Sequence, residues 1–100
     1  MNTYLNLELN NGQSIKMTLN LKRLLILKSN HVDLYRDINR IITKGADDVF
    51  DMVKVLYAGY LCALETGSAE MTYDQFMDAI PQGIGEISNK AAELITAKKN

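Results

Sequence analysis

The chain has 100 residues, 47% hydrophobic and 23% charged with a single proline, which is enough apolar material for one core and too little for two. Its one cysteine, Cys62, excludes an internal disulfide and points to an intracellular protein, and the start Met1-Asn2-Thr3-Tyr4 lacks the basic region and apolar run of a targeting segment. The formal charge of −1 conceals a division: Lys16 to Lys44 holds seven basic and two acidic residues, whereas Asp47 to Glu86 holds eight acidic and one basic. Solvated surfaces tolerate such drift, and opposite charge on two surfaces also suits head-to-tail association of copies.

The first element reads as a β-hairpin. Leu5, Leu7 and Leu9 alternate with Asn6 and Glu8, and Ile15, Met17 and Leu19 alternate with Lys16 and Thr18, which is the period of half-buried strands. Between them, Asn11-Gly12 supplies the positive backbone angles of a tight turn. A lone hairpin is marginally stable in water, so its apolar face needs cover from helices or from strands of another copy.

Helices follow. Asn20 is placed to cap Leu21 to Lys28, and Ser29-Asn30-His31 reads as a break. From about Asp33, Leu34, Ile38, Ile41 and Ile42 share one face and Asp33, Arg36, Asp37 and Arg40 the other, with Gly45 as the stop. Asp47, Asp48 and Asp51 then open a third helix, where their negative charge suits the positive end of the helix dipole. An EF-hand would need ligands and a glycine at spacings this segment lacks.

That third segment, Val49 to Leu64, is interrupted only by Asp51, Lys54 and Gly59. It is short for a membrane span, and a helix so apolar must be covered on more than one side, which a short chain achieves with difficulty; part of its surface is expected to meet a partner. After a loop at Thr66-Gly67-Ser68-Ala69-Glu70, Thr72 and Gln75 form a capping box and Met71 and Phe76 a hydrophobic staple. Pro81 ends that helix at Ile80. The last helix carries Ile84, Ile87, Ala91 and Leu94 as a narrow seam, with Lys98 and Lys99 complementing its C-terminal dipole.

No residue set points to catalysis. His31 stands at a helix break with no second histidine or cysteine near it in sequence, so a surface or capping role outweighs metal ligation or base catalysis. Asp74 and Asp78 lie one turn apart, but a glycosidase pair needs a cleft and two environments. Gly83-Ile84-Gly85 follows Pro81 rather than a strand, which is poor support for phosphate binding. Cys62, inside the apolar helix, reads as an inert packed residue, and Tyr57 and Tyr60 as core or interface residues rather than cofactor contacts. Lys22, Arg23, Lys28, Arg36, Arg40 and Lys44 cluster across two helices that could form a helix-turn-helix. Against DNA binding stand the apolar Leu24 to Leu27, the acidic Asp33 and Asp37, and an acidic remainder that repels phosphate.

In the order of its elements and in two segments, Leu56-Tyr57-Ala58-Gly59-Tyr60-Leu61-Cys62-Ala63 and Met71-Thr72-Tyr73-Asp74-Gln75-Phe76, the chain resembles the small tail assembly chaperones of siphophages that infect Gram-positive bacteria. The likeness covers roughly the last half of the chain well and the hairpin loosely. It implies a non-enzymatic protein of the host cytoplasm. Many copies would coat the helical tape measure protein, keep it soluble, and give way when tail tube subunits polymerise. It also implies a longer product made by ribosomal frameshifting, with which Ala97-Lys98-Lys99-Asn100 is compatible.

The expectation is therefore an α+β fold in a single domain over residues 1–100, with an antiparallel β-hairpin in 1–19 and four or five helices in 20–100. Its partners would be the tape measure protein and copies of itself, without cofactor, metal, nucleic acid or membrane. Leu56, Tyr57, Tyr60, Leu61 and Phe76 are the candidate partner and self-association residues, through apolar grooves of the kind that take an amphipathic helix. Leucine and aromatic residues at helical spacing are core residues more often than contacts, so part of that set is expected inside the protomer. The alternatives are a head-tail connector or other virion protein, a small DNA-binding regulator and an enzyme with an unrecognised site.

Overall fold

The computed structural model describes residues 4–65 and 67–99. Met1-Asn2-Thr3, read above for a targeting signal, Thr66 of the expected loop, Asn100 and the side chain of Lys99 lie outside that description. The chain is α+β and mostly helical: β1 (Leu5–Glu8) and β2 (Ser14–Met17) are followed by α1 (Leu21–Asn30), α2 (Val32–Lys44), α3 (Val49–Ala63), α4 (Tyr73–Ala79) and α5 (Ile84–Lys99).

The strands pair antiparallel with Leu5 facing Met17 and Leu7 facing Ile15. Within the strands the alternation holds: Leu7 and Met17 are buried, and Asn6, Glu8 and Lys16 are exposed; beyond β2 it fails, because Thr18 is buried along with Leu19. The turn is wider than a tight Asn-Gly turn. Leu9 N–H donates to Gln13 O at 2.7 Å and Gly12 N–H to Leu9 O at 3.0 Å, and only Gly12 in this loop has positive φ (87°). A turn followed by a left-handed glycine is the usual three-residue solution. It frees Asn10 to dock on the end of α4, where its N–H donates to Ala79 O (2.8 Å) and its side-chain amide to Ile80 O (2.9 Å).

Local chemistry sets the helix boundaries. The Asn20 side chain accepts from Lys22 N–H (2.9 Å) at the start of α1. The break after α1 is narrower than expected, because the Ser29 hydroxyl bonds back to Leu25 O (3.2 Å) and stays helical. His31 alone closes α1 through its N–H to Leu27 O and opens α2 through its carbonyl to Tyr35 N–H. Gly45, with φ of 95°, stops α2, and Asp48 accepts from Phe50 and Asp51 N–H at the start of α3. At α4 the capping box is complete: Gln75 N–H donates to Thr72 Oγ1 (3.2 Å) and Thr72 N–H to Gln75 Oε1 (2.9 Å).

Helix α3 is the axis of the molecule, touched by β2, α1, α2, α4 and α5. Val55, Leu56 and Ala58 have no exposed surface. The expectation that a short chain covers such a helix on all sides only with difficulty is corrected here: the surrounding elements enclose it, and Phe50, in its first turn, is the exposed exception at 61%. Gly59 makes the enclosure possible, since its carbonyl accepts from Thr18 N–H (3.1 Å) and its missing side chain lets β2 and α5 close on the helix.

Candidate protein-binding surface

The structure places most of the expected contact residues in the interior. Leu56 and Phe76 are fully buried, Tyr57 and Tyr60 nearly so, and Leu61 is half-buried. Tyr57, Tyr60, Tyr73 and Phe76 form an aromatic cluster between α3 and α4, with ring centroids 5.2 Å apart for Tyr57–Phe76 and 5.4 Å for Tyr60–Phe76. The cluster has a structural task. Tyr57 Oη donates to Met71 O (2.8 Å) while Tyr60 Oη accepts from Met71 N–H (2.8 Å), which fixes the residue just before the α4 cap. Burial pushes the Tyr57 and Tyr73 hydroxyls above the ordinary tyrosine range.

Four of the seven large apolar side chains exposed among the described residues lie instead on α1 and at the start of α2. Leu21 is 78% exposed, Leu25 64%, and Ile26 and Val32 about half. Leu24 and Leu27 occupy the inward face of α1. Four consecutive apolar residues, Leu24-Leu25-Ile26-Leu27, exceed what one helix face can bury, and that was the signal in the sequence for this surface. Leu21 and Leu25 with Tyr35, Ile38 and Ile42 of α2 line a shallow groove of about 630 Å³.

Every charged residue lining the groove is a lysine: Lys22, Lys28 and Lys98. Lys28 Nζ sits 5.6 Å from the Tyr35 ring centroid, a cation–π distance. Lys98 is turned inward and donates to Leu19 O (3.2 Å), joining the end of α5 to the start of α1. The groove is therefore apolar along its length and positive along its rim.

The opposite charges of the two halves meet partly within the protomer. Arg40 of α2 reaches Asp51 of α3 at 3.1 Å and Asp47 at 3.5 Å, and Lys54 reaches Asp37 at 3.2 Å. Asp51 is buried, and the Asp47 N–H (2.8 Å), then the Arg40 guanidinium, hold its carboxyl below the usual carboxylate range.

The remaining candidates for chemistry are scattered. His31, at the α1–α2 joint, has its Nε2 3.8 Å from Glu70 of the loop before α4. Asp74 and Asp78 are exposed on α4, and Gly83 and Gly85 flank the exposed Ile84. Cys62 is buried, and burial pushes its thiol up to about 12 despite Arg23 and Lys98 nearby. Among the described residues no cluster of side chains suited to a metal ion occurs, and no helix is long and apolar enough to cross a membrane. Comparison of the chain with protein-family models, with curated proteins and with solved structures finds no match.

Proposed function

We propose that this protein is a non-enzymatic phage tail assembly chaperone, copies of which associate with one another and with the helical tape measure protein during tail assembly. The observation that carries the reading is the pair of exposed leucines, Leu21 and Leu25, that line the apolar groove between α1 and α2. An apolar groove between helices is the shape that receives an amphipathic helix, and its lysine rim selects a client helix with acidic residues flanking its apolar face. The sequence resemblance to tail assembly chaperones supplies the biological setting.

Co-expression with a tape measure fragment tests the proposal. The wild-type chain is expected to co-purify with the fragment and keep it soluble, and Leu21→Glu together with Leu25→Glu to abolish co-purification while the fold is retained. Retained co-purification with that double variant would remove the groove from the interaction. Mass spectrometry of finished particles separates the chaperone from a connector: the chaperone is absent from the virion, the connector present.

A further inference from the structure

The backbone of β1 has an unused edge. Leu9 N–H bonds Gln13 O, and in an antiparallel ladder hydrogen-bonded and non-bonded pairs alternate, so Leu7 with Ile15 and Leu5 with Met17 use the inner edge. Asn6 and Glu8 therefore turn their N–H and C=O groups away from β2. Among the described residues nothing donates to or accepts from these backbone groups. The next outward position, Asn10, is already taken: its N–H bonds Ala79 O, so the segment before Pro81 closes one end of the edge.

A groove runs along this edge between β1 and α5. Asn89 and Glu93 border it at the Leu5 end and again beside Leu7 and Leu9. Leu56 and Ile87 lie on its floor. Its charged residues are Glu8, Glu86, Glu93 and Lys90, and Lys90 is paired with Glu93 at 3.4 Å, which leaves the groove acidic. Leu5-Asn6-Leu7-Glu8 carries no lysine or proline, and the single charge on this short strand, Glu8, favours a basic occupant.

We infer that β1 accepts a third strand from a partner protein, an extended segment of about five residues with alternating apolar and basic side chains. The available edge is as long as a short strand. In an antiparallel addition, residues opposite Asn6 and Glu8 share their solvent-facing side, which sets a basic residue against Glu8; the intervening residues point to the apolar floor of the groove. A second copy of β1 is a poor occupant, because it would bring its own Glu8 to an acidic edge and its own Ala79–Pro81 segment into the same space. This site is separate from the α1–α2 groove, and its failure would leave the proposed function untouched.

The test titrates an acetylated, amidated hexapeptide of alternating valine and lysine into the full chain, with backbone amides followed by NMR. The expected result is saturable binding with hydrogen-exchange protection rising at Asn6 and Glu8 N–H. Asn6→Pro removes one edge donor without touching the bonds to β2 and is expected to weaken binding at least tenfold with an unchanged melting temperature. Glu8→Lys is expected to reverse the preference, toward a valine–glutamate hexapeptide. The inference is overturned by no binding, by equal binding of both peptides to the wild type, by shifts mapping to Leu21 and Leu25, or by Asn6 and Glu8 protection that rises with protein concentration alone, which would mark a second copy as the occupant.

Discussion

Gly59 and Leu94 are in closer contact than any side chain at residue 59 allows: a β-carbon there would lie 2.6 Å from Leu94 Cδ2 and 3.1 Å from Met17 Cβ. Leu94 and Met17 are themselves fully enclosed, so neither can move aside freely. Alanine at 59 would gain up to about 1 kcal/mol of helix propensity and lose about 1–3 kcal/mol to overpacking. Gly59→Ala is therefore expected to destabilise by about 1 kcal/mol net in chemical denaturation. Gly85, in the first turn of α5 with open space around it, is the control; Gly85→Ala is expected to stabilise by about 0.5–1 kcal/mol.

The Arg40–Asp51 pair predicts a pH dependence. The folded-state pKa of Asp51 is depressed, so its contribution is present above the ordinary carboxylate pKa of about 4 and lost as pH falls through the lower folded value. Unfolding free energy is expected to fall with pH below about 4, and Asp51→Asn to flatten that slope. The asparagine keeps an acceptor for Asp47 N–H, so urea titrations from pH 2 to 7 isolate the charge. An unchanged slope in the variant would show that other carboxylates carry it.

Met71 is gripped by two hydroxyls, and the two should differ in worth. Tyr60→Phe leaves the Met71 N–H without its acceptor, and Tyr57→Phe leaves a carbonyl that water can serve more easily. Losses of about 1–2 kcal/mol for Tyr60→Phe and about 0.5–1 kcal/mol for Tyr57→Phe are expected by denaturation.

Cys62 should report on unfolding. A thiol raised to about 12 and buried among α3 neighbours is almost wholly protonated at neutral pH, and the thiolate is the reactive species. Alkylation by iodoacetamide at pH 8 is expected to be slow in the native protein and to accelerate with the unfolded fraction in urea. Fast labelling in water would mean that α3 opens readily.

Core and surface leucines should separate cleanly. Leu56→Ala empties a site with no exposed surface and is expected to cost about 2–5 kcal/mol. Leu25→Glu changes a residue 64% exposed and is expected to shift stability by about 0.5 kcal/mol or less while reducing any concentration-dependent growth in mass seen by light scattering. A folded, stable Leu25→Glu variant with undiminished association would place the self-contact elsewhere.

The sequence by itself determined what is local: the alternation of both strands, the Asn20 cap, the acidic start of α3, the Thr72–Gln75 box, and the stops at Gly45 and Pro81 all involve neighbours a few residues apart. Hydrophobic periodicity also located the inward seam of Ile87, Ala91 and Leu94, but Ile84, expected as its first member, is 66% exposed at the start of α5. Only the tertiary structure decided which apolar residues are buried and which stay exposed. Leu56, Tyr57, Tyr60 and Phe76 look no different in composition from Leu21, Leu25 and Ile26, but the former lie where β2, α4 and α5 converge and the latter lie beyond their reach. The same holds for charge. Whether Arg40 meets Asp51 or solvent depends on how α2 crosses α3, and whether the edge of β1 is free depends on where the segment before Pro81 and helix α5 come to rest. Burial and pairing between distant segments are properties of the packed chain, and no local pattern encodes them.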